Sequence, residues 1–196
     1  MAVSPVSLKL ITHPTAEPIT LYDCADRLRV DVGDDARMIS ALIKASRQYF
    51  ESRTGQRVVR QKWRAYFNCF HDAMALAPAR VREVDQIQYI DTDGATQTLS
   101  TSYYTTDIAG QTVRLAYGQS WPSTRDDYNS VWVDVWSGMY DETSSPISQL
   151  DNVPEDVKQA IVLQVSILHG SLTPAEQEAA ERSRDLMMQA YWMPTV

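Results

Sequence analysis

Residues Asp34–Gly55, DDARMISALIKASRQYFESRTG, decide how the rest of the chain is read. Met38, Ile39, Leu42, Ile43, Tyr49 and Phe50 recur at the spacing that lines one side of a helix. Asp34 or Asp35 can cap the free N–H groups at the start, where a negative charge also suits the helix dipole. Gly55 supplies the left-handed residue that ends many helices. Lys44, Arg47, Glu51 and Arg53 fall mainly on the other face. The stretch reads as a core helix whose apolar stripe packs on neighbouring elements.

Upstream, Thr20 and Asp23 form a capping box, and Ile19 is placed to staple against Cys24. Leu21, Ala25 and Leu28 make a short apolar stripe ending near Val30, and a loop through Gly33 leads into the long helix. Residues 1–17, with Pro5 and Pro14, read as an extended arm.

Downstream of Gly55 the period changes from helical to alternating. Val59, Gln61, Trp63, Ala65 and Phe67 face one way, and Val58, Arg60, Lys62, Arg64 and Tyr66 the other, which gives a strand with a charged, solvated face. His71–Ala79 reads as a loop. A strand begins around Val84 and runs to Ile90, and Asp93-Gly94 turns it back into Thr96–Leu99. Tyr103–Thr106 and Thr112–Ala116 pair around Ala109-Gly110, and a long loop passes through Gly118, Trp121 and Pro122. Val131, Val133 and Val135 alternate with Trp132, Asp134 and Trp136 in a last strand. About five or six antiparallel strands are expected.

Residues 137–152 have the Gly, Ser, Pro and Asp of a flexible connection. Helix returns at Pro154 and is apolar on most sides from Val157 to Leu168, as in a helix buried in a core or between subunits. Gly170 stops it, and Thr173-Pro174-Ala175-Glu176 opens a final helix with a second capping box. That helix is polar through Arg184 and apolar from Leu186 onward. The expected fold class is α+β: a bundle of two N-terminal and two C-terminal helices with an inserted small antiparallel β-sheet. Its parts are an arm and helical hairpin at 1–56, the β insertion at 57–137, and linker, helices and tail at 138–196, together one composite domain.

The chain of 196 residues is 44% hydrophobic and 22% charged, ordinary for a protein that buries a core. A net charge of −7 argues against tight wrapping of nucleic acid and leaves open a channel through which DNA slides without sticking. Cys24 and Cys69 read as reduced thiols. No signal peptide or membrane-crossing run is seen, so a cytosolic origin is expected.

Chemistry is hard to place. His13, His71 and His169 lack a second ligand at helical spacing, and His169 beside Gly170 reads as a cation at a helix C-terminus. Asp91, Asp93, Asp126 and Asp127 are explained by turns. With no nucleophile, phosphate-loop or dinucleotide motif, no enzyme, metal or cofactor is expected. Two features ask for a partner surface. Tyr191-Trp192-Met193 place large apolar side chains at a chain end, where they fold back or insert into a partner. Trp121, Trp132 and Trp136 lie beside a sheet too small to cover them, which implies packing on a helix or on a neighbouring copy.

PITLYDCADRLRVD (Pro18–Asp31) followed by Asp34–Gln56 resembles the head–tail connector (adaptor) proteins of long-tailed bacteriophages and related gene transfer agents. IQYIDTDG (Ile87–Gly94), YGQSWP (Tyr117–Pro122) and VPEDVKQAI (Val153–Ile161) extend the likeness in the same order over most of the chain. The connection at 137–152 is longer and more polar than the family's. The resemblance implies a structural ring, expected to be a dodecamer, in the virion at the head–tail junction, assembled in the host bacterial cytoplasm. Such a ring sits beneath the portal protein, extends the DNA channel without sequence-specific binding, and carries the next head-closure, neck or tail protein. There is no membrane partner. By the same likeness the portal would be reached through Leu186, Met187, Tyr191, Trp192, Met193 and Pro194. Contacts between subunits are expected at Ile161, Val165, Leu168, Trp132 and Trp136. A head-closure or tail-completion protein of the same neck remains the alternative, followed by a small enzyme or ligand-binding domain.

Overall fold

The structure, a computed structural model, describes residues 2–78, 80–139 and 153–192. The connection at 140–152 and the tail residues Met193 and Pro194 lie outside the described residues. Two compact units are present. The β unit takes in the chain up to His13 and again from Arg60 to Gly138; the helical unit takes in Pro14–Val59 and the chain from Met139 onward.

The extended arm is a strand, β1 (Ser7–Thr12), which pairs antiparallel with β2 (Gln61–Phe67). With β4 (Val81–Ile90), β5 (Thr96–Thr98) and β8 (Val131–Ser137) they form a five-stranded sheet in the order β1-β2-β8-β4-β5. A second sheet, not foreseen as separate, has the order β3-β7-β6 and is built from β3 (Ala73–Ala75), β6 (Tyr104–Asp107) and β7 (Thr112–Leu115). The segment expected to be a loop therefore carries β3. Its Met74 is fully buried, so three residues suffice to anchor the strand against β7.

Period-2 alternation puts Ala65, Phe67, Ile87, Val131, Val133 and Val135 in one core cluster with Met74 and Val113 of the smaller sheet. The hairpin β4–β5 turns at Gly94, whose φ of 89° is left-handed, and Asp91 Oδ1 accepts the N–H groups of Asp93 and Ala95.

In the helical unit, α1 (Leu21–Leu28) begins at Thr20, which accepts the Asp23 N–H, and ends on Arg29 in a left-handed conformation. Ile19 and Cys24 are both buried in the same core cluster, as a staple requires. The long helix α2 (Val32–Thr54) starts earlier than the apolar spacing suggests. Asp31 is its cap, accepting the Gly33 N–H at 3.1 Å, so Gly33, Asp34 and Asp35 lie inside the first turns instead of before them. It ends on Gly55 at φ 73°, as expected.

The buried side of α2 is also wider than the apolar stripe. Ile39, Ile43 and Phe50 are in the core, but so are Arg47 and Glu51, assigned by pattern to the solvent side, while Met38 is exposed. An amphipathic wheel assumes that charge means water. Here the two charges neutralise each other at 3.0 Å.

Helix α3 (Glu155–His169) has Pro154 as its cap residue rather than its first helical residue, and closes on Gly170. Helix α4 (Pro174–Gln189) opens on the full Thr173/Glu176 capping box with proline at the start. Val157, Ala160, Ile161, Val162 and Val165 of α3 meet Ile39, Ile43 and Phe50 of α2 in the core of this unit.

Candidate assembly surfaces

No group of three or more His, Cys, Asp or Glu side chains that could hold a metal is found among the described residues. Cys24 is buried, and burial pushes its thiol up from the ordinary value against the pull of Arg27. Cys69 is exposed, with its Sγ 3.7 Å from His71 Nε2. His169 occupies the last turn of α3, where a cation is favoured. Asp91 is held below the usual carboxylate range by the Gln97 amide and then by the Ala95 and Asp93 N–H groups, which is turn chemistry. No helix among the described residues is long and apolar enough to cross a membrane.

The C-terminal aromatics divide between two environments. Tyr191 belongs to its own unit: its hydroxyl donates to Asp156 at 2.8 Å, its carbonyl accepts from Gln56 Nε2 at 3.1 Å, and its ring lies 5.9 Å from that of Phe50. It is thus an internal anchor and not a free one. Met187 is likewise partly buried against the core. Trp192 is 71% exposed and Leu186 67% exposed, so both stand out toward solvent. Trp192 forms one lip of a groove of about 220 Å³ lined by Arg53, Thr54, Asp185, Met188 and Gln189, between the ends of α2 and α4.

Of the residues expected between subunits, Ile161 and Val165 are fully buried in the helical unit's own core. That placement accounts for the apolar pattern of α3 without a second copy. Leu168, one turn on, is 46% exposed.

Trp121, Trp132 and Trp136 do not form one group. Trp121 stacks on Phe70 at 4.6 Å and 5°, on the core side of the β unit. Trp132 and Trp136 lie on the opposite face of the five-stranded sheet, where β8 registers with β2 as Tyr66↔Trp132, Arg64↔Asp134 and Lys62↔Trp136. Cations of β2 and of Arg60 just before it cover them, as the sequence pattern did not foresee. The Arg60 guanidinium sits 3.7 Å from the Trp136 ring centre and that of Arg64 5.2 Å from Trp132. Trp132 Nε1 donates to Gln88 at 3.0 Å. The charged face is therefore half-buried, not solvated.

Tyr117, quoted above only for the family likeness, and Tyr128 are both fully or largely exposed on the loop between β7 and β8, an exposure the sequence pattern did not signal. Trp121, stacked on Phe70, and the Arg125 N–H bonded to Ile90 O hold that loop in place.

This fold is found in gene transfer agent (GTA) particles. A chain from the neck of an empty GTA particle, computed with C6 symmetry, superposes with a TM-score of 0.72 at 17% identity, covering 97% of both chains. A chain from the virion of a native GTA particle gives 0.70 at 16% identity over 96% of both. A chain from the neck of a native GTA particle, computed with C12 symmetry, gives 0.67 at 18% identity over 97% of both. No protein-family model and no curated protein matches the chain. At these identities the likeness is one of fold, and it runs through both the helical and the β unit.

Proposed function

We propose that this chain is a structural, non-enzymatic component of the neck of a tailed phage-like particle. Within the neck it acts as the head–tail connector, a ring beneath the portal that extends the DNA channel. One observation carries the reading: the fold matches a GTA neck chain at a TM-score of 0.72 over 97% of each chain, with no part of either left over as a separate module. The six- and twelve-fold symmetry of the neck structures suits a closed ring, which needs two different, complementary faces on each subunit. A net charge of −7 on every copy would repel the phosphate backbone and let DNA pass without sticking.

In this reading Trp192 and Leu186 are the described C-terminal contacts toward the portal, with Met193 and Pro194 following. Leu168, exposed near the end of α3, is offered to neighbouring copies. The ring is a dodecamer assembled in the host bacterial cytoplasm, and its far side receives the next neck or tail protein.

The test is co-assembly. The purified chain mixed with the cognate portal ring is expected to form a cyclic layer on one end of that ring, seen by electron microscopy. A chain that ignores bare portals, and joins only after another neck protein is bound, is a head-closure or tail-completion protein. Absence from the collar of mature particles refutes the neck reading altogether.

A further inference from the structure

The chain passes between the β unit and the helical unit three times, at 13/14, 59/60 and 138/139. On the helical side, the roots of these connections meet in a single run of hydrogen bonds. Glu17, on the first, accepts Arg47 Nε and Nη2 at 2.7 and 3.2 Å. Arg47 Nη1 donates to Glu51 Oε2 at 3.0 Å, and Glu51 Oε1 accepts the Val58 N–H on the second connection at 3.0 Å. The Val58 carbonyl in turn accepts the N–H of Met139, on the third, at 3.0 Å.

We propose that Glu17, Arg47 and Glu51 form a clasp that ties the roots of the three connections into one mechanical element, so that order in any one depends on the other two. Arg47 is 3% exposed and Glu51 is 7% exposed, so neither charge can be satisfied by water where it stands. An i,i+4 pair would neutralise both within the helix. Here the pair also reaches two connections: the planar guanidinium spans Glu51 and Glu17, which lies on the first, and Glu51 uses its second oxygen on the backbone of Val58, on the second. Arg57 adds a second cation beside Glu51 and donates from Nη1 to the carbonyls of Glu51 and Gln56, at 3.3 and 3.0 Å, where α2 gives way to the second connection. Removing the Glu17 carboxylate frees Arg47 to turn. Glu51 then loses its fixed position, and Val58 and Met139 lose their common support.

Site-resolved amide hydrogen exchange on the full chain tests this. In Glu17→Ala, the amides of Val58 and Met139 are expected to exchange at least about tenfold faster, although Glu17 touches neither, while Ile161 and Val165 in α3 keep their rates. Thr173→Ala, which removes a cap far along the chain, serves as the control and is expected to leave the ratio of Val58 to Val165 exchange unchanged. Unchanged rates at Val58 and Met139 in Glu17→Ala would overturn the clasp. So would an acceleration shared equally with α3, or the same pattern in Thr173→Ala. Should Glu17→Ala fail to fold, Glu17→Gln keeps the shape and one acceptor, and is read by the same ratios.

Discussion

Arg64 and Asp134 face each other across β2 and β8 and share two hydrogen bonds, 2.7 and 2.9 Å long, although Asp134 is only 1% exposed. Gln86, from the other neighbouring strand, donates to the same carboxylate at 3.0 Å. One buried acid thus joins the three central strands of the larger sheet. Arg64→Ala leaves that acid with Gln86 and, at 4.0 Å, Lys62, and uncovers Trp132 as well. The expected loss is about 2 kcal/mol, in line with a hydrogen bond to a charged group. Urea unfolding followed by tryptophan fluorescence measures it, and a loss below about 0.5 kcal/mol would mean the pair is ornamental.

The same carboxylate gives a pH dependence. Burial pushes Asp134 up, but the hydrogen bonds from Arg64 and Gln86, with the charges of Arg64 and Lys62, together outweigh it and hold the group below its ordinary value. Its folded pKa is thus lower than its unfolded one, so the unfolded chain binds the extra proton first as pH falls. The stability contribution is present in full above an unfolded value of about 4 and is lost as pH drops through the folded value. Acid titration of the wild type and of Asp134→Asn checks this. The variant is expected to be less stable at neutral pH and to lose less stability below about pH 4. Parallel curves would exclude Asp134 as a source of acid sensitivity.

Arg47 offers a sharper contrast between removing one charge and removing two. Arg47→Met alone takes the 3.0 Å partner from the buried Glu51 carboxylate and leaves Arg57 as the cation beside it, at an expected cost of about 3 kcal/mol. Pairing it with Glu51→Leu removes the buried carboxylate as well and is expected to recover part of that loss, though not the tie to Val58. Denaturant unfolding of the two variants decides it. A double variant no better than the single one would show that the ties to the connections outweigh the buried charge.

Local signals were legible where chemistry and geometry act within a few residues. The end of α2 at Gly55, the Thr20 and Thr173 caps and the Asp91–Gly94 turn are all written in adjacent letters. What escaped the sequence depends on partners far along the chain. Arg60 and Arg64 look solvated until Trp136 and Trp132, about seventy residues later, arrive beside them. Arg47 looks like a surface charge until Glu17, thirty residues earlier, meets it. The α3 pattern of apolar residues on most sides was ambiguous for a related reason. A helix surrounded by its own unit and a helix wedged between copies carry the same residues, and only the packing of Ile161 and Val165 on α2 and its neighbours separates the two. Strand β3 is three residues of Ala-Met-Ala, too short for any period to register.

Tyr191 and Trp192 are adjacent in the chain and are expected to behave oppositely. Tyr191→Phe keeps the ring against Phe50 but removes the hydroxyl that binds Asp156, for an expected loss of about 1–2 kcal/mol and no direct effect on partners. Trp192→Ala removes a side chain that is 71% exposed, so unfolding is expected to shift by no more than about 0.5 kcal/mol. If the neck reading holds, that same change weakens portal binding strongly, because an exposed aromatic at a groove edge is the kind of residue that dominates an interface. A chain cut after Tyr191 therefore makes a cleaner truncation than one cut before it, which would also release the internal anchor. Thermal unfolding and portal co-sedimentation, run on both point variants, separate the two roles. Should Trp192→Ala bind portals normally, the C-terminal contact must lie elsewhere, and exposed Leu186 is the next residue to change.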